Sequence, residues 1–444
     1  MPGRLDSFPA HTLFFGVMRL HHDLFGRLFR TMTRNNSRIP RRIQLARIAT
    51  ILAFMMIGGM MYIWSTGVSA FRHQLGLSGS GGDLDFGMIA FGIGAGAAAG
   101  ALFTGRLLDQ YGARSIVRIA VILYPLSIIP LGFASDFWFA LFVGMLLGAF
   151  RGATETALNA HGVQVERFYG RPIMSSFHAC FSLGGFLFGM LGSYFAGVYP
   201  QSAMVAFATT GALLLLLSLG FSNFMLEKDD VLADPDGTSS EDFGHEGQPG
   251  RGLFLLMFGF GLLLLAVMVG EGAVGDWGQE FIHRELGATT AFAGLAISCF
   301  TGAEFIGRLM GDRVTQRLGA ARVVLASALV SLVGLLLAQL GDARFALAGF
   351  ALFGLGMSCL APLLLSSAGR KDPRNAGRNI GIVNCVGFSG MLVGPAAISL
   401  LVDSFGLGIL LLVPIVLMVL TAAIGPYLVS GGSSRTSALL PTGR

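Results

Sequence analysis

Charge is the first thing this chain lacks: Asp, Glu, Lys and Arg make up only 12% of its 444 residues, about half of what a soluble domain carries. So few charges cannot clothe two or three water-facing domains, the ordinary packaging of a chain this long. Cysteine is also scarce. Cys180, Cys299, Cys359 and Cys385 stand singly in apolar runs, with no paired spacing and no neighbouring His cluster, which argues against a disulfide framework or a zinc site and for small core side chains. No Walker sequence, Gly-x-Ser-x-Gly elbow or metal-ligand spacing occurs, so neither an enzyme nor a cofactor is expected. The Gly-rich stretch at 92–100 follows no strand and reads as close helix packing. No h-region with a small-residue cleavage site precedes the first apolar run, so no cleaved signal peptide is expected.

What the chain has instead is apolar length. Hydrophobic residues reach 53% and mean hydropathy is +0.70, which makes lipid the solvent for most of the protein. Windows of about twenty apolar residues, enough to cross a bilayer, fall near 44–69, 84–105, 115–135, 137–160, 173–198, 202–225, 253–280, 289–310, 322–341, 345–368, 379–402 and 406–430. An all-α membrane protein of twelve transmembrane helices is the expected fold class. Between the sixth and seventh windows, residues 227–251 are rich in acids, Gly, Ser and Pro and cannot bury a core. The predicted organisation is therefore a basic extension (1–42), a six-helix bundle (43–226), a linker (227–251), a second bundle (252–431) and a tail (432–444).

Basic residues orient the chain, because Lys and Arg are retained on the cytoplasmic side. With both termini inside, the cytoplasmic segments hold Arg106, Arg114, Arg118, Arg167, Arg171, Arg313, Arg317, Arg322, Arg370, Lys371, Arg374 and Arg378, against Arg72, Arg284 and Arg344 opposite. The expected location is the cytoplasmic (inner) membrane. Topology accounts for the basic residues, and no nucleic-acid partner is needed to explain them. In the Arg-rich extension, Phe14, Met18, Phe25 and Phe29 recur at helical spacing, a pattern that suits either an amphipathic helix on an anionic leaflet or a plain disordered extension.

The two halves echo each other. FRHQLG at 71–76 and FIHRELG at 281–287 each precede a Gly- and Ala-rich helix, and each helix ends in a basic turn: GRLLDQYGARSIV at 105–117 and GRLMGDRVTQRLGAARVV at 307–324. Two correspondences in the same order, half a chain apart, mark a duplicated six-helix unit. Both turns resemble the motif between helices two and three, and eight and nine, of the major facilitator superfamily. Gly105, Asp109 and Gly112 match its first copy, although Gln110 stands where a base is usual. Gly307, Asp312, Arg313 and Arg317 belong to the second. The chain is further similar to a bacterial branch near the fucose-permease-like proteins, through 156–185, EGAVGDW at 271–277, GRLMGDR at 307–313 and the Gly-Pro at 394–395. That resemblance implies a major facilitator fold and a solute cavity lined by helices one, four, seven and ten.

Ionisable side chains inside membrane helices are costly and so are functional candidates. Arg151 and Glu155, four residues apart, are expected to share a helix face and to reach each other. Glu271 and Asp276 flank a Gly-rich stretch of the seventh helix; on a regular helix they point about 140° apart, so only unwinding at the glycines would bring them together. Trp277 offers a ring face to a solute. His178 suits reversible protonation, and a hydrogen-bonded structural role is its alternative. Asn159 and Asn384 add uncharged polarity for substrate binding. Glu304 and Arg308 form a second four-spaced pair that can satisfy itself. Asp109 and Asp312 are expected to hold the cytoplasmic side shut through Arg partners on adjoining helices.

These residues suggest a secondary active transporter that moves a small polar solute by alternating access, with a proton as coupling ion and Glu155 and Glu271 as carriers. A non-transporting sensor or scaffold with the same fold is the competing expectation.

Overall fold

The computed structural model describes residues 39–77, 83–226, 251–288, 290–293 and 295–430. Most of the basic extension, the linker at 227–250 and the tail from 431 therefore lie outside the described residues. Among those described there is no strand. The long helices are α1 (Arg41–Gln74), α2 (Asp83–Tyr111), α3 (Ala113–Gly132), α4 (Phe137–Tyr169), α5 (Met174–Val198) and α6 (Met204–Phe221). After the linker come α7 (Arg251–Glu280), α8 (Leu295–Leu318), α9 (Ala320–Ala338), α10 in two segments (Ala343–Met357 and Leu360–Lys371), α11 (Ala376–Phe405) and α12 (Leu412–Ser430). Ten candidate spans among the described residues are long and apolar enough to cross a membrane. Helices α8 and α11 are not in that group; α8 carries Glu304, Arg308, Asp312, Arg313 and Arg317.

Several helices outrun their hydropathy windows. Helix α2 continues to Tyr111, α4 to Tyr169 and α8 to Leu318, because the backbone ladder is indifferent to the charge of the side chains it carries. What ends α2 and α8 is glycine. Gly112 and Gly319 adopt φ 80° and φ 82°, a left-handed turn open to glycine at little cost. The two turn motifs thus sit largely on helix ends, with their carboxylates projecting from the final turns. In α7 the Gly-rich stretch at 270–278 stays α-helical, and the helix passes into a π turn only at Phe281–Glu285. Glycine permits unwinding there but does not impose it.

Close approach of backbones explains much of the glycine content. A Cβ added at Gly148 or Gly152 of α4 would lie 1.9 Å from the carbonyl oxygen of Ile93 or Ala97 on α2. Such contact is how helices associate in lipid, where burial of apolar surface supplies no drive. Helix α2 packs on α4 and α3 on α6. The same neighbours recur later in the chain, with α8 on α10 and α9 on α12. Across the linker, α2 packs on α11 and α5 on α8. The exterior is apolar, with Phe91, Phe103, Phe142, Leu216, Val333 and Tyr427 exposed, while Asn159, His161, Glu304 and Arg308 are buried. Apolar outside and polar inside is the arrangement lipid favours, and the chain is an integral membrane protein.

Candidate functional site

At mid-bundle, Arg308 of α8 is the centre of a polar cluster. Its Nη2 donates to Glu304 one turn earlier and lies 3.6 Å from Glu271 Oε1 on α7. Its Nη1 donates to Ser182 Oγ on α5 at 2.6 Å. Arg308 and Glu304 are buried, whereas the Glu271 side chain is 30% exposed. The four-spaced pair read from the sequence does form, but it is not self-contained. Two carboxylates share one guanidinium, so the cluster is one negative charge in excess and offers a place for one proton.

Helix α4 behaves differently from expectation. Arg151 and Glu155 form no ion pair: no contact between them falls within 4.0 Å. The Arg151 guanidinium instead reaches across the seam, with Nη2 3.7 Å from both Met61 Sδ on α1 and Met391 Sδ on α11. It also lies 5.9 Å from the centre of the Phe388 ring. Sharing a helix face sets only where two side chains start, and the long arginine stem is free to pack against neighbouring helices.

The amides are engaged in the interior. Asn159 Nδ2 donates to the Glu155 carbonyl at 2.8 Å, and its Oδ1 meets His178 Nε2 at 3.2 Å. The His178 ring packs 5.1 Å from that of Phe54. Asn384 donates to Thr156 Oγ1 at 3.1 Å, joining α11 to α4. Both asparagines are essentially inaccessible, and each amide is engaged by neighbouring groups. Trp277 is half-buried on α7, and the side chain of Asp276 lies outside the described residues.

Toward one end of the bundle the halves are stitched together. Asp109 of α2 accepts from the backbone N–H groups of Gly377 and Arg378 at 3.1 and 3.0 Å, at the start of α11. Asp312 of α8 accepts from the N–H groups of Ser175 and Ser176 at 2.9 and 3.0 Å and from the Ser176 hydroxyl, at the start of α5. For Asp312 these partners replace the expected arginine, whereas Asp109 also lies within electrostatic reach of the Arg378 guanidinium on α11; each carboxylate caps a helix N-terminus, where unpaired N–H groups and the positive dipole end favour an anion. Arg313 and Arg317 point outward and are exposed. Gly105 allows the approach, since a Cβ there would lie 2.9 Å from the Gly377 carbonyl oxygen.

A third contact escaped the sequence reading. Glu166 of α4 accepts from the Ile173 N–H at 2.9 Å, from the Ser366 hydroxyl and from Arg370 Nη1 of α10 at 2.5 Å. The signal was a carboxylate inside the 156–185 stretch, but its partner lies 204 positions away. Ser182 was missed for the same reason.

A sequence profile of the Major Facilitator Superfamily matches residues 251–443, and one described as Transmembrane secretion effector matches 69–245. Uncharacterized transporter y4wD of Sinorhizobium fredii is 31% identical over 379 residues, 84% of this chain and 96% of that protein. Membrane protein MosC of Rhizobium meliloti is 28% identical over 385 residues, 85% of this chain and 89% of its own length. Among solved structures, FucP in the outward conformation superposes with TM-score 0.69 at 14% identity, covering 88% of this chain and 100% of that one. The proton:xylose symporter XylE bound to 6-bromo-6-deoxy-D-glucose gives 0.68 at 16% identity, covering 88% and 96%. At such identities the superpositions establish the fold, while the longer sequence matches establish kinship: this chain belongs to the Major Facilitator Superfamily, as a membrane transporter and not an enzyme.

Proposed function

We propose that the protein moves a small polar solute across the cytoplasmic membrane by alternating access, coupled to protons. Twelve helices cross the bilayer in two six-helix repeats, 43–226 and 252–431, with both termini cytoplasmic. The repeated neighbours α2–α4 with α8–α10, and α3–α6 with α9–α12, together with the matched turns at Gly112 and Gly319, support that duplication. In this reading Asp109, Asp312 and Glu166 close the cytoplasmic end, and the state is the outward-facing one. Basic residues concentrate at the same end, as retention of Lys and Arg requires.

The observation that carries the proposal is the Arg308 cluster. A guanidinium shared by two carboxylates while it holds a serine of the other half links protonation to the position of the halves. When the halves part at Ser182, Arg308 is released to serve both acids, and the proton leaves. Glu271, the more open of the two, is the principal coupling carboxylate, with Glu304 as its buried partner. Glu155 remains a second carrier, Arg151 and Trp277 face solute, and His178, Asn159 and Asn384 hold α4, α5 and α11 in register. Reconstitution of the full chain into liposomes loaded with a pH dye tests this, with pentoses, hexoses and amino acids added outside. Solute-dependent proton flux, reduced at least tenfold in Glu271→Gln, is expected. No flux with any solute would favour a sensor or scaffold.

A further inference from the structure

The chemical class of the solute is legible in how α4 carries its two charges. Arg151 and Glu155 lie one turn apart, about 6 Å along the axis, on a face where opposite charges ordinarily approach. Here they stay apart. Among the described residues, the Arg151 guanidinium donates only toward two thioethers, Met61 Sδ and Met391 Sδ, each at 3.7 Å, and thioether sulfur is a weak acceptor. Its Nε is buried without an acceptor. Glu155 is half-buried, and its backbone carbonyl, not its carboxylate, takes the neighbouring Asn159 amide. Glu155 feels the Arg151 charge only at a distance, and charge inside a membrane bundle that lacks a direct polar contact is costly unless something completes it.

From this geometry we infer that the site between α1, α4 and α11 binds a small zwitterion, its carboxylate on Arg151 and its ammonium group on Glu155. The inference rests on the transport reading above and names the class of its solute. Guanidinium and carboxylate match planar, bidentate and charge-assisted contacts. An uncharged solute would leave both charges uncompleted, and a simple anion or amine would leave one. Met61, Met391 and Phe388 form an apolar, adaptable wall for the remainder of the molecule. A site of buried polar groups rejects an analogue that lacks their partner far more strongly than an apolar pocket rejects a missing methylene.

Thermal unfolding of the purified full chain tests the class, with the twenty proteinogenic amino acids, β-alanine and γ-aminobutyrate as probes. Each probe that binds is then compared with its N-acetyl and its amide derivative. At least one free zwitterion is expected to raise the melting temperature, and capping either end should weaken apparent affinity by about a hundredfold or more. Arg151→Lys and Glu155→Gln, both of which keep polar bulk, should weaken it similarly; should either variant fold poorly, the capped derivatives on the wild-type chain decide alone. The inference is overturned if no zwitterion shifts the wild-type protein, or if capped derivatives bind as well as free ones. Sugar-driven proton flux without zwitterion binding would overturn this inference and leave the transport reading standing. Zwitterion binding without flux of any solute would do the reverse.

Discussion

Replacing Asp312 by Asn removes a negative charge that accepts two backbone N–H groups and a hydroxyl at the start of α5. An amide side chain keeps one acceptor oxygen and turns an NH2 group toward the second donor. At least one hydrogen bond to a charged group is lost, and the charge no longer meets the positive end of the helix. A bond of that kind contributes about 1.5–3 kcal/mol, and the dipole interaction adds about 0.3–1. Taking ~2 kcal/mol for the pair, the ratio of open to closed cytoplasmic ends rises roughly thirtyfold. Asp109→Asn loses one of two N–H acceptances and should open the end less, by about tenfold. Val163 reports the change, because it is buried and packs on Gly369 of α10 across the halves. With the four native cysteines replaced by alanine, Val163→Cys should react with a water-soluble maleimide slowly in the parent, faster with Asp109→Asn and fastest with Asp312→Asn. Melting temperature should change little. Equal labelling in all three would refute the capping argument and reduce the motif to a turn.

Three further outcomes follow from particular contacts. Glu271→Gln should abolish concentrative uptake while leaving solute exchange or binding largely intact, as read by counterflow in proteoliposomes; full proton-driven accumulation would remove Glu271 from the mechanism. Glu166→Gln and Arg370→Met break the same ion pair, buried on the Glu166 side and half-exposed at Arg370, so a double-mutant cycle on Val163→Cys labelling should show about 0.5–2 kcal/mol of coupling, and strict additivity would mean the pair does not hold the halves. Gly148→Val places a side chain where the Cβ alone would lie 1.9 Å from the Ile93 carbonyl oxygen. Forcing α2 from α4 should cost about 1–3 kcal/mol or more and lower the melting temperature by several degrees, and an unchanged value would show that the helices separate freely.

Apolar windows and the glycines that end the two turn motifs, Gly112 and Gly319, were readable before any coordinates, because hydropathy and glycine are local properties of the chain. So was the Glu304–Arg308 pair, whose four-residue spacing places both groups on one helix face, where they do meet. The helix ends were not, since hydropathy falls where charges begin while the ladder of α2, α4 and α8 runs on to its glycine or final turn. Spacing also promised an Arg151–Glu155 pair that the packed bundle does not make: the guanidinium lies against Met61 and Met391 on other helices instead. The partners of Asp109, Asp312 and Glu166 lie 268, 137 and 204 positions off, and no periodicity links residues so far apart. Sequence alone determined that this protein is a helical membrane bundle with a few charges it must house. Which of those charges meet was decided by the packing of α2 on α11 and α5 on α8, where glycine lets backbones touch and carries carboxylates to the bare N–H groups of the opposite half.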